Sequence, residues 1–487
     1  MELANLASDP PQHGGEPASA ARLQRSTKPV GERMSRYQGF RFALDPTAAQ
    51  KRALASHCGA ARFAFNWGLD LVKERLEARR REGAQEVPWN LPALRREWNR
   101  IKEEKAPWWR ENSKEAYSSG LDSLARALGN FTASKKGTRM GRFCFPVYHR
   151  RGRRDSCRFT TGVLRVDDRQ HVSLPRLPRL RTHEKTDTLL RRLQEGRARI
   201  LTASISREAD RWFCSFTCEV NRTHSACNGH DDVIGVDLGL LRLATMSNGE
   251  IVEGPRALQR SRHRLRRLAR TVSRRLKGSA RRRRAISKVA RAHRRVANLR
   301  RDHLHKLTTE LAKNHGQVVI EDLNVRGMMS SAKGTIREPG RNVQAKAGLN
   351  RAIADAAFGE FRRILDYKCG WYGSRLAIAP RFFASSRRCS DCGEMRDNLR
   401  LDERIFVCTG CGMSLDRDLN AARNLVWWAE TSGKQVAASA AETENARGGD
   451  VRPGNGQADL DETRTETVSE PAGSTGSPSL GVIYVPC

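Results

Sequence analysis

No stretch of the sequence approaches about eighteen consecutive apolar residues, so no membrane-spanning helix is expected. Residues 1–35 lack the apolar core of a secretory signal. Pro, Gly, Ser and Ala dominate them, and they read as a disordered leader. No internal repeat is visible. Acid is scarce: 54 Asp and Glu stand against 89 Lys and Arg, a formal net charge of +35 over 487 residues. A surface this basic binds polyanions in a salt-dependent way, which makes nucleic acid the expected partner class, and with no spanning segment a membrane is not an expected partner. Hydrophobic residues are few, at 38%, yet the length suffices for about two to four domains with cores of their own. Histidine is missing from the one block of closely spaced cysteines. With 12 cysteines in a long chain, four of them at metal spacing, thiolates on zinc in a reducing cytoplasm fit better than disulfides.

What is present follows a clear order. FRFAL alternates like a strand (Phe40, Phe42, Leu44), and Asp45-Pro46-Thr47 opens a helix. Leu54, Cys58, Ala61, Phe65 and Leu69 recur on one helical face. Helical patterns continue to about 130, broken near Pro88, Pro92 and Pro107; the interleaved Trp89, Trp98, Trp108 and Trp109 read as core before they read as base-stacking platforms. From 131 to 222 the pattern is β, ending in a hairpin of ILTASIS and RWFCSFTCEV, where Cys214 and Cys218 share a face and read as core thiols. VIGVDLG and LLRLATMS read as the strands of another hairpin, and Asn248-Gly249 marks a tight turn after them.

Residues 256–301 then hold twenty Lys and Arg and no acid. Leu265, Leu268, Val272 and Leu276, followed by Ile286, Val289, Val296 and Leu299, keep a helical stripe through the charge, and Lys277-Gly278-Ser279 breaks it into a basic helical hairpin. A run with no compensating acid repels itself unless an anion lies along it, which favours phosphate contact. The strand QVVIEDL, a Gly/Lys/Arg-rich loop at 326–348, a helix at 349–370, the strand in WYGSRLAIAP, the cysteine block and a helix at 419–430 complete the ordered chain. A disordered tail is expected from 431 to 487.

Two constellations carry chemistry. Cys389, Cys392, Cys408 and Cys411 form C-x₂-C-x₁₅-C-x₂-C, with Gly393 and Gly412 placed to turn each knuckle back. That is the spacing of a structural four-thiolate zinc ribbon with no open catalytic position. The second is acidic: Asp237 lies in an apolar strand, Glu321 ends another, and Asp418 starts a helix. A carboxylate on a buried strand is costly unless it is paired or metal-bound. Two such strands with helices between and after them suggest a mixed α/β sheet that brings both carboxylates together. Three carboxylates there can hold two Mg²⁺ ions about 3.5–4 Å apart for phosphodiester hydrolysis. The alternatives are an ion pair to one of the many arginines for Asp237 and Glu321, and ordinary helix capping for Asp418. Spacing alone does not choose between Glu321 and Asp322, or between Asp418 and Asp416.

The order GVDLG, VIEDLNV, CSDCG…CTGCG and DRDLNAARN resembles the RuvC-type nuclease core of the TnpB family and of the compact type V CRISPR effectors. FRFALDPTAAQ with CGAARFAFNWGLD, and SREADRWFCSFTCEV, resemble the family's N-terminal pattern and the hairpin before its nuclease core; the likeness covers about 37–428. SSRRC at 385–389 departs from the commoner Thr-Ser-Gln-x-Cys, and the leader and tail lie outside the compact family pattern. The resemblance implies a multidomain α+β protein: an RNase H-like (RuvC) α/β core with an inserted zinc ribbon, a β-barrel-like wedge domain and a helical recognition domain. The wedge would span 36–52 and 131–222, the recognition domain 53–130, the nuclease core 223–388, the ribbon 389–414 and the third RuvC motif 415–430. It assigns the carboxylates as Asp237, Glu321 and Asp418, and implies a guide RNA, a target DNA recognised beside a short motif, and cleavage. A transposase or accessory protein, an RNA-guided regulator that does not cut, and a bulk nucleic-acid packaging protein are the alternatives.

Overall fold

A computed structural model describes residues 34–83, 86–139, 141, 143–152, 155–222, 232–400 and 402–445. The expected leader lies outside the described residues up to position 33, as does the expected tail from 446 onward. Among the described residues no helix is long and apolar enough to cross a membrane.

The first half of the chain shares one apolar core. Strand β1 (Met34–Leu44) leads into α1 (Ala48–Glu82), where Thr47 and Gln50 form a capping box. The expected stripe of Leu54, Cys58, Ala61, Phe65 and Leu69 is buried. α2 (Leu91–Lys105) and α3 (Lys114–Lys135) pack against α1, so the helical region runs five residues past its expected end at 130. Trp98 is buried, whereas Trp108 remains 39% exposed. β2 (Ser156–Phe159), β3 (Arg165–Asp168), β4 (His171–Ser173), β5 (Leu180–Arg181), β6 (Ala198–Glu208) and β7 (Arg211–Arg222) follow, with α4 (Asp187–Gln194) as a helix that the β-like pattern had hidden. The larger sheet has the order β1-β7-β6-β2, and β1 pairs with β7 from Met34↔Arg222 to Leu44↔Trp212. Chain on both sides of the helices therefore builds one sheet. β3-β4-β5 form a second, open sheet, tied to the first by a bridge between Leu44 and Thr182. Cys214 and Cys218 are fully buried, and burial pushes both thiols up, Cys218 to about 12, as expected of core residues.

The second half is built on β8 (Val233–Asp237), β9 (Ala244–Met246), β10 (Ile251–Val252), β11 (Gln317–Glu321) and β12 (Arg375–Ala379). Their order is β10-β9-β8-β11-β12, with β8, β11 and β12 parallel and β9 and β10 antiparallel. Both faces are covered, which explains why β8 and β11 read as unbroken apolar runs. On one face Ile234, Val236, Val318 and Ile320 meet α6 (Ala280–Asn314) and α9 (Phe358–Tyr372) through Leu304, Leu307, Leu311, Phe361 and Leu365. On the other, Val319 and Ala379 meet α10 (Arg417–Asn445) through Leu425.

Several helices differ from expectation. The basic hairpin is α5 (Ala257–Ser273) against α6, and α6 continues unbroken from the basic arm onto the sheet. Ala257, Leu265, Ala292 and Val296 form its core, so Leu265 and Val296 are buried as expected, while Leu276, Ile286 and Leu299 are exposed and two alanines take part in the seam. The charge run is not wholly uncompensated, because Arg291 and Arg294 reach Asp210 in the β6–β7 turn at 3.6 and 3.1 Å. The loop after β11 contains α7 (Val325–Met328), and the helix expected at 349–370 is two, α8 (Val343–Ala356) and α9. Ala357, at φ 57°, separates them in a left-handed conformation with no Gly or Pro to announce it. α10, expected to end near 430, runs to Asn445.

Candidate metal centres on the five-stranded sheet

Strand periodicity selects the acids. Alternate residues of β11 face opposite covers, so Glu321 shares the α10 side with Val319, and Asp322 shares the α9 side with Val318 and Ile320. The same count puts Val233, Gly235 and Asp237 of β8 on the α10 side. β8 and β11 pair in parallel up to Val236↔Ile320, which sets Asp237 and Glu321 at neighbouring strand ends. Gly235 admits the third acid. A Cβ there would collide with the Ala422 carbonyl oxygen, so glycine lets α10 lie directly on β8 and brings the start of that helix to Asp237.

The electrostatics are those of crowded like charges. Burial pushes the Asp237 carboxyl well above the usual carboxylate range, and the charges of Glu321 and Asp418 push it further; the Arg417 charge only partly offsets them. Burial also raises Glu321, against a hydrogen bond donated to it by the Ser385 hydroxyl. Among the described residues, neither the Asp237 nor the Asp418 carboxylate has a hydrogen-bond or ion-pair partner.

The neighbouring acids differ in every respect. Asp322 is gripped by Arg362 at 2.5 Å and Arg381 at 2.7 Å, whose hydrogen bonds hold it below the usual range. Asp416 accepts from the amides of Asp418 and Leu419 at 3.0 and 3.2 Å and pairs with Arg242 at 2.7 Å. Burial works against its charge, but the arginine and the amides keep it below the usual range. Asp416 is thus the cap of α10, the role that the sequence offered equally to Asp418.

The four cysteines meet as expected. Their sulfurs all lie within 4.8 Å of one another, with Cys389–Cys411 at 3.7 Å and Cys392–Cys408 at 3.5 Å. A tetrahedral ion with Zn–S near 2.3 Å requires edges of about 3.8 Å, so the set fits zinc without rearrangement. Gly393 and Gly412 adopt φ 83° and 73° and turn the knuckles, and the Cys411 amide points at the Cys408 sulfur at 3.5 Å, drawing that thiol down to about 7. β13 (Ile405–Val407) and β14 (Ser414–Asp416) pair beside the knuckles, and Phe406 packs with Cys389 and Cys408 as a minimal core.

Three residues join the two centres, and none was singled out in the sequence. Asn420 accepts from the Ser390 amide and donates to the Arg388 carbonyl; Asn424 donates to the carbonyls of Ser385 and Arg388. Both are buried on α10. Ser385 completes the link through Glu321. The available signal was a pair of asparagines at i and i+4 among apolar residues, which share a helix face. A further buried acid, Asp355 on α8, accepts from the Leu258 and Gln259 amides and so caps the basic arm α5.

A mixed sheet with acids at its strand ends and a four-thiolate module at its rim defines an α/β core; among the described residues the four cysteines are the group whose ligand atoms already lie within 4.8 Å of one another. Comparison with known proteins supplies the family. Residues 215–332 match the OrfB_IS605 family model, described as "Probable transposase"; 358–425 match "Cas12f1-like, TNB domain", and 34–81 match "Helix-turn-helix domain". In this chain that last span is one strand and one continuous helix. Three relatives share the name "Putative RNA-guided DNA endonuclease". The protein of Mycobacterium tuberculosis (strain H37Rv) is 38% identical over 90% of this chain and 95% of its own length. InsQ of Escherichia coli K12 is 33% identical over 81% and 92%, and the Streptomyces pristinaespiralis protein is 35% identical over 80% and 88%. A cryo-EM structure of a Cas12f1–sgRNA–target DNA complex matches 80% of this chain and 99% of its own at 11% identity, with a TM-score of 0.41. The chain belongs to the TnpB family.

Proposed function

We propose that the protein is an RNA-guided DNA endonuclease whose five-stranded sheet β10-β9-β8-β11-β12 is the base of a RuvC-type nuclease core, with Asp237, Glu321 and Asp418 as its metal-binding carboxylates. The single observation that carries this is the different fate of five acids: Asp237 feels the charges of Glu321 and Asp418 with only a partial offset from Arg417, while Asp322 and Asp416 beside them are tied off by arginines and amides. Like-charged carboxylates gathered in a half-buried site are stable only if protonated or bound to cations. The donor set is all oxygen and hard, which suits Mg²⁺. When bound, Mg²⁺ supplies an activated water and stabilises the leaving oxygen of a phosphodiester. The chain's own residues prepare that site. Ser385 fixes the Glu321 carboxylate, Asp416 fixes the helix start that carries Asp418, and Gly235 sets the approach of the two elements. Zn²⁺ on Cys389, Cys392, Cys408 and Cys411 would be structural, since four thiolates leave no open position.

The basic arm of α5 and α6 supplies a phosphate-binding surface, and the names of the relatives support a guide RNA and a DNA target. Sequence choice would rest with base pairing, as a backbone-reading surface of this kind requires. The test is the full chain purified with its RNA, the RNA sequenced, and DNA matching that RNA offered with Mg²⁺. Cleavage of matched but not mismatched DNA, lost in Asp237→Ala, supports the reading; unchanged cleavage by that variant overturns it. The matched family description favours a second reading, a transposase. Joining of element ends to new DNA by the purified protein would establish it.

A further inference from the structure

We propose that Arg381 and Phe382 form a binding step for single-stranded DNA beside the carboxylate cluster, the Phe382 ring stacking on a base and the Arg381 guanidinium meeting the adjoining phosphate. The identity of the strand as substrate rests on the nuclease reading above; the step itself is built from residues outside the cluster.

The segment 380–385 leaves β12 and touches the acidic strand end at both of its own ends. Arg381 lies 2.7 Å from Asp322, and the Ser385 hydroxyl donates to Glu321. Between these contacts the backbone is fixed by the Phe383 amide on the Pro380 carbonyl at 3.0 Å and the Ser385 amide on the Phe383 carbonyl at 2.9 Å. Phe383 anchors the turn, with its ring centroid 6.4 Å from those of both Trp427 and Trp428. Its neighbour Phe382 is 94% exposed. Phe382 lies three positions before Ser385, so the two Cα atoms stay within about 10 Å. The ring therefore stands within a nucleotide or two of the carboxylates.

Two features distinguish this ring from an incidental surface aromatic. Its mount is held, because the adjacent phenylalanine packs half-buried against Trp427 and Trp428 and anchors the turn. Its surroundings are cationic: Arg362 and Arg381 outnumber the single Asp322 they share, and the Arg388 guanidinium lies 3.6 Å from the Trp427 ring centroid on the same stretch. An aromatic face flanked by arginine is the chemistry of sequence-tolerant single-strand binding, since every base offers a π-face and every nucleotide a phosphate. A protein that leaves sequence choice to a guide requires that tolerance at the site where it cuts.

The experiment titrates the full chain, as purified and without added Mg²⁺, into single-stranded oligodeoxynucleotides carrying 2-aminopurine, whose fluorescence is quenched by stacking. The parent protein and Phe382→Trp are expected to quench the probe. Phe382→Ala should lose the quench and bind about fivefold to a hundredfold more weakly, the range for removal of one base–aromatic stack. Arg381→Gln should reduce the salt slope of binding by about 0.7, one phosphate on a single strand. Zinc content equal to that of the parent shows that each variant is folded. Equal quenching by Phe382→Ala and the parent overturns the proposal, as does equal loss in the Ala and Trp variants. Cleavage by Asp237→Ala would sink the nuclease reading and leave this result standing.

Discussion

The carboxylate cluster and the acids that border it are made of the same residue types, one or two positions apart in the chain, and they behave as opposites. Asp237 and Glu321 share the face of the sheet that meets α10, the helix that carries Asp418, and both are pushed toward the protonated form. Asp322 and Asp416 are held ionised by arginines and helix amides. The difference arises from which side of a strand or which turn of a helix each residue occupies. A tied-off acid is part of the scaffold, and an acid crowded by its own kind is the one whose charge is left uncompensated, which is why the proposed function places cations there.

Substitutions on the two sides of that divide should separate cleanly, and the largest effect belongs to the cluster. Asp418→Ala is expected to lower the cleavage rate by about 10³-fold or more, because metal-borne transition-state stabilisation is worth several kcal/mol. Its thermal midpoint should equal or exceed that of the parent in metal-free buffer. Asp416→Ala should do the reverse, lowering stability by about 1 kcal/mol through the lost cap while costing cleavage less than tenfold. If both variants lose cleavage equally without loss of stability, the divide is false.

The cysteine cluster bears on the same comparison at a distance. Removing zinc with a chelator, or substituting Cys408→Ser, should unfold the module at 389–414, because structural zinc contributes about 10 kcal/mol or more to such folds. Cleavage should then fall with it, since Asn420 and Asn424 tie the module to the helix that carries Asp418. Zinc stoichiometry measured alongside cleavage checks this, and full activity in zinc-free protein would refute the coupling. A smaller effect is expected at Ser385. Ser385→Ala should weaken cleavage about 10–100-fold, as loss of a hydrogen bond behind a metal ligand does, and Ser385→Thr should restore it.

The smallest effect is a pH dependence. Asp237 is raised in the folded state above its ordinary value of 3.8, so in the absence of metal the native state binds more protons than the unfolded chain over that window. Stability then falls as pH rises from about 4 toward the folded value. Asp237→Asn removes this term, so its advantage in thermal midpoint over the parent should grow with pH in metal-free buffer and vanish with Mg²⁺. A midpoint difference that is flat from pH 4 to 8 would remove the like-charge account.

Much of this was legible in the sequence. The apolar runs around Asp237 and Glu321, the capped start of α1, the β6–β7 hairpin and the cysteine spacing all followed from local patterns that tertiary structure had no reason to override. The acid choices did not follow. A run such as VVIED is apolar on both faces, so periodicity assigns two faces without saying which cover lies over each. Only the placement of α9 and α10 tells Glu321 from Asp322. The Asp416 cap was hidden similarly, because both acids are good capping residues near one helix start. The division of α8 from α9 was illegible because alanine at Ala357 takes a conformation usually marked by glycine. The seam of the basic hairpin was read in part: Leu265 and Val296 are buried as expected, but Ala257, Ala285 and Ala292 share the buried positions while Leu276, Ile286 and Leu299 are exposed. Ser385, Asn420 and Asn424 act through long-range hydrogen bonds that no local pattern records.

The deciding measurement is anomalous diffraction from crystals soaked in Mn²⁺, which substitutes for Mg²⁺ on oxygen ligands. The predicted result is an anomalous peak coordinated by Asp237, Glu321 and Asp418, with Asp322 still on Arg362 and Arg381 and Asp416 still on Arg242. Manganese bound to Asp322 or Asp416, or no peak among the three clustered acids at a concentration that supports cleavage, would contradict it.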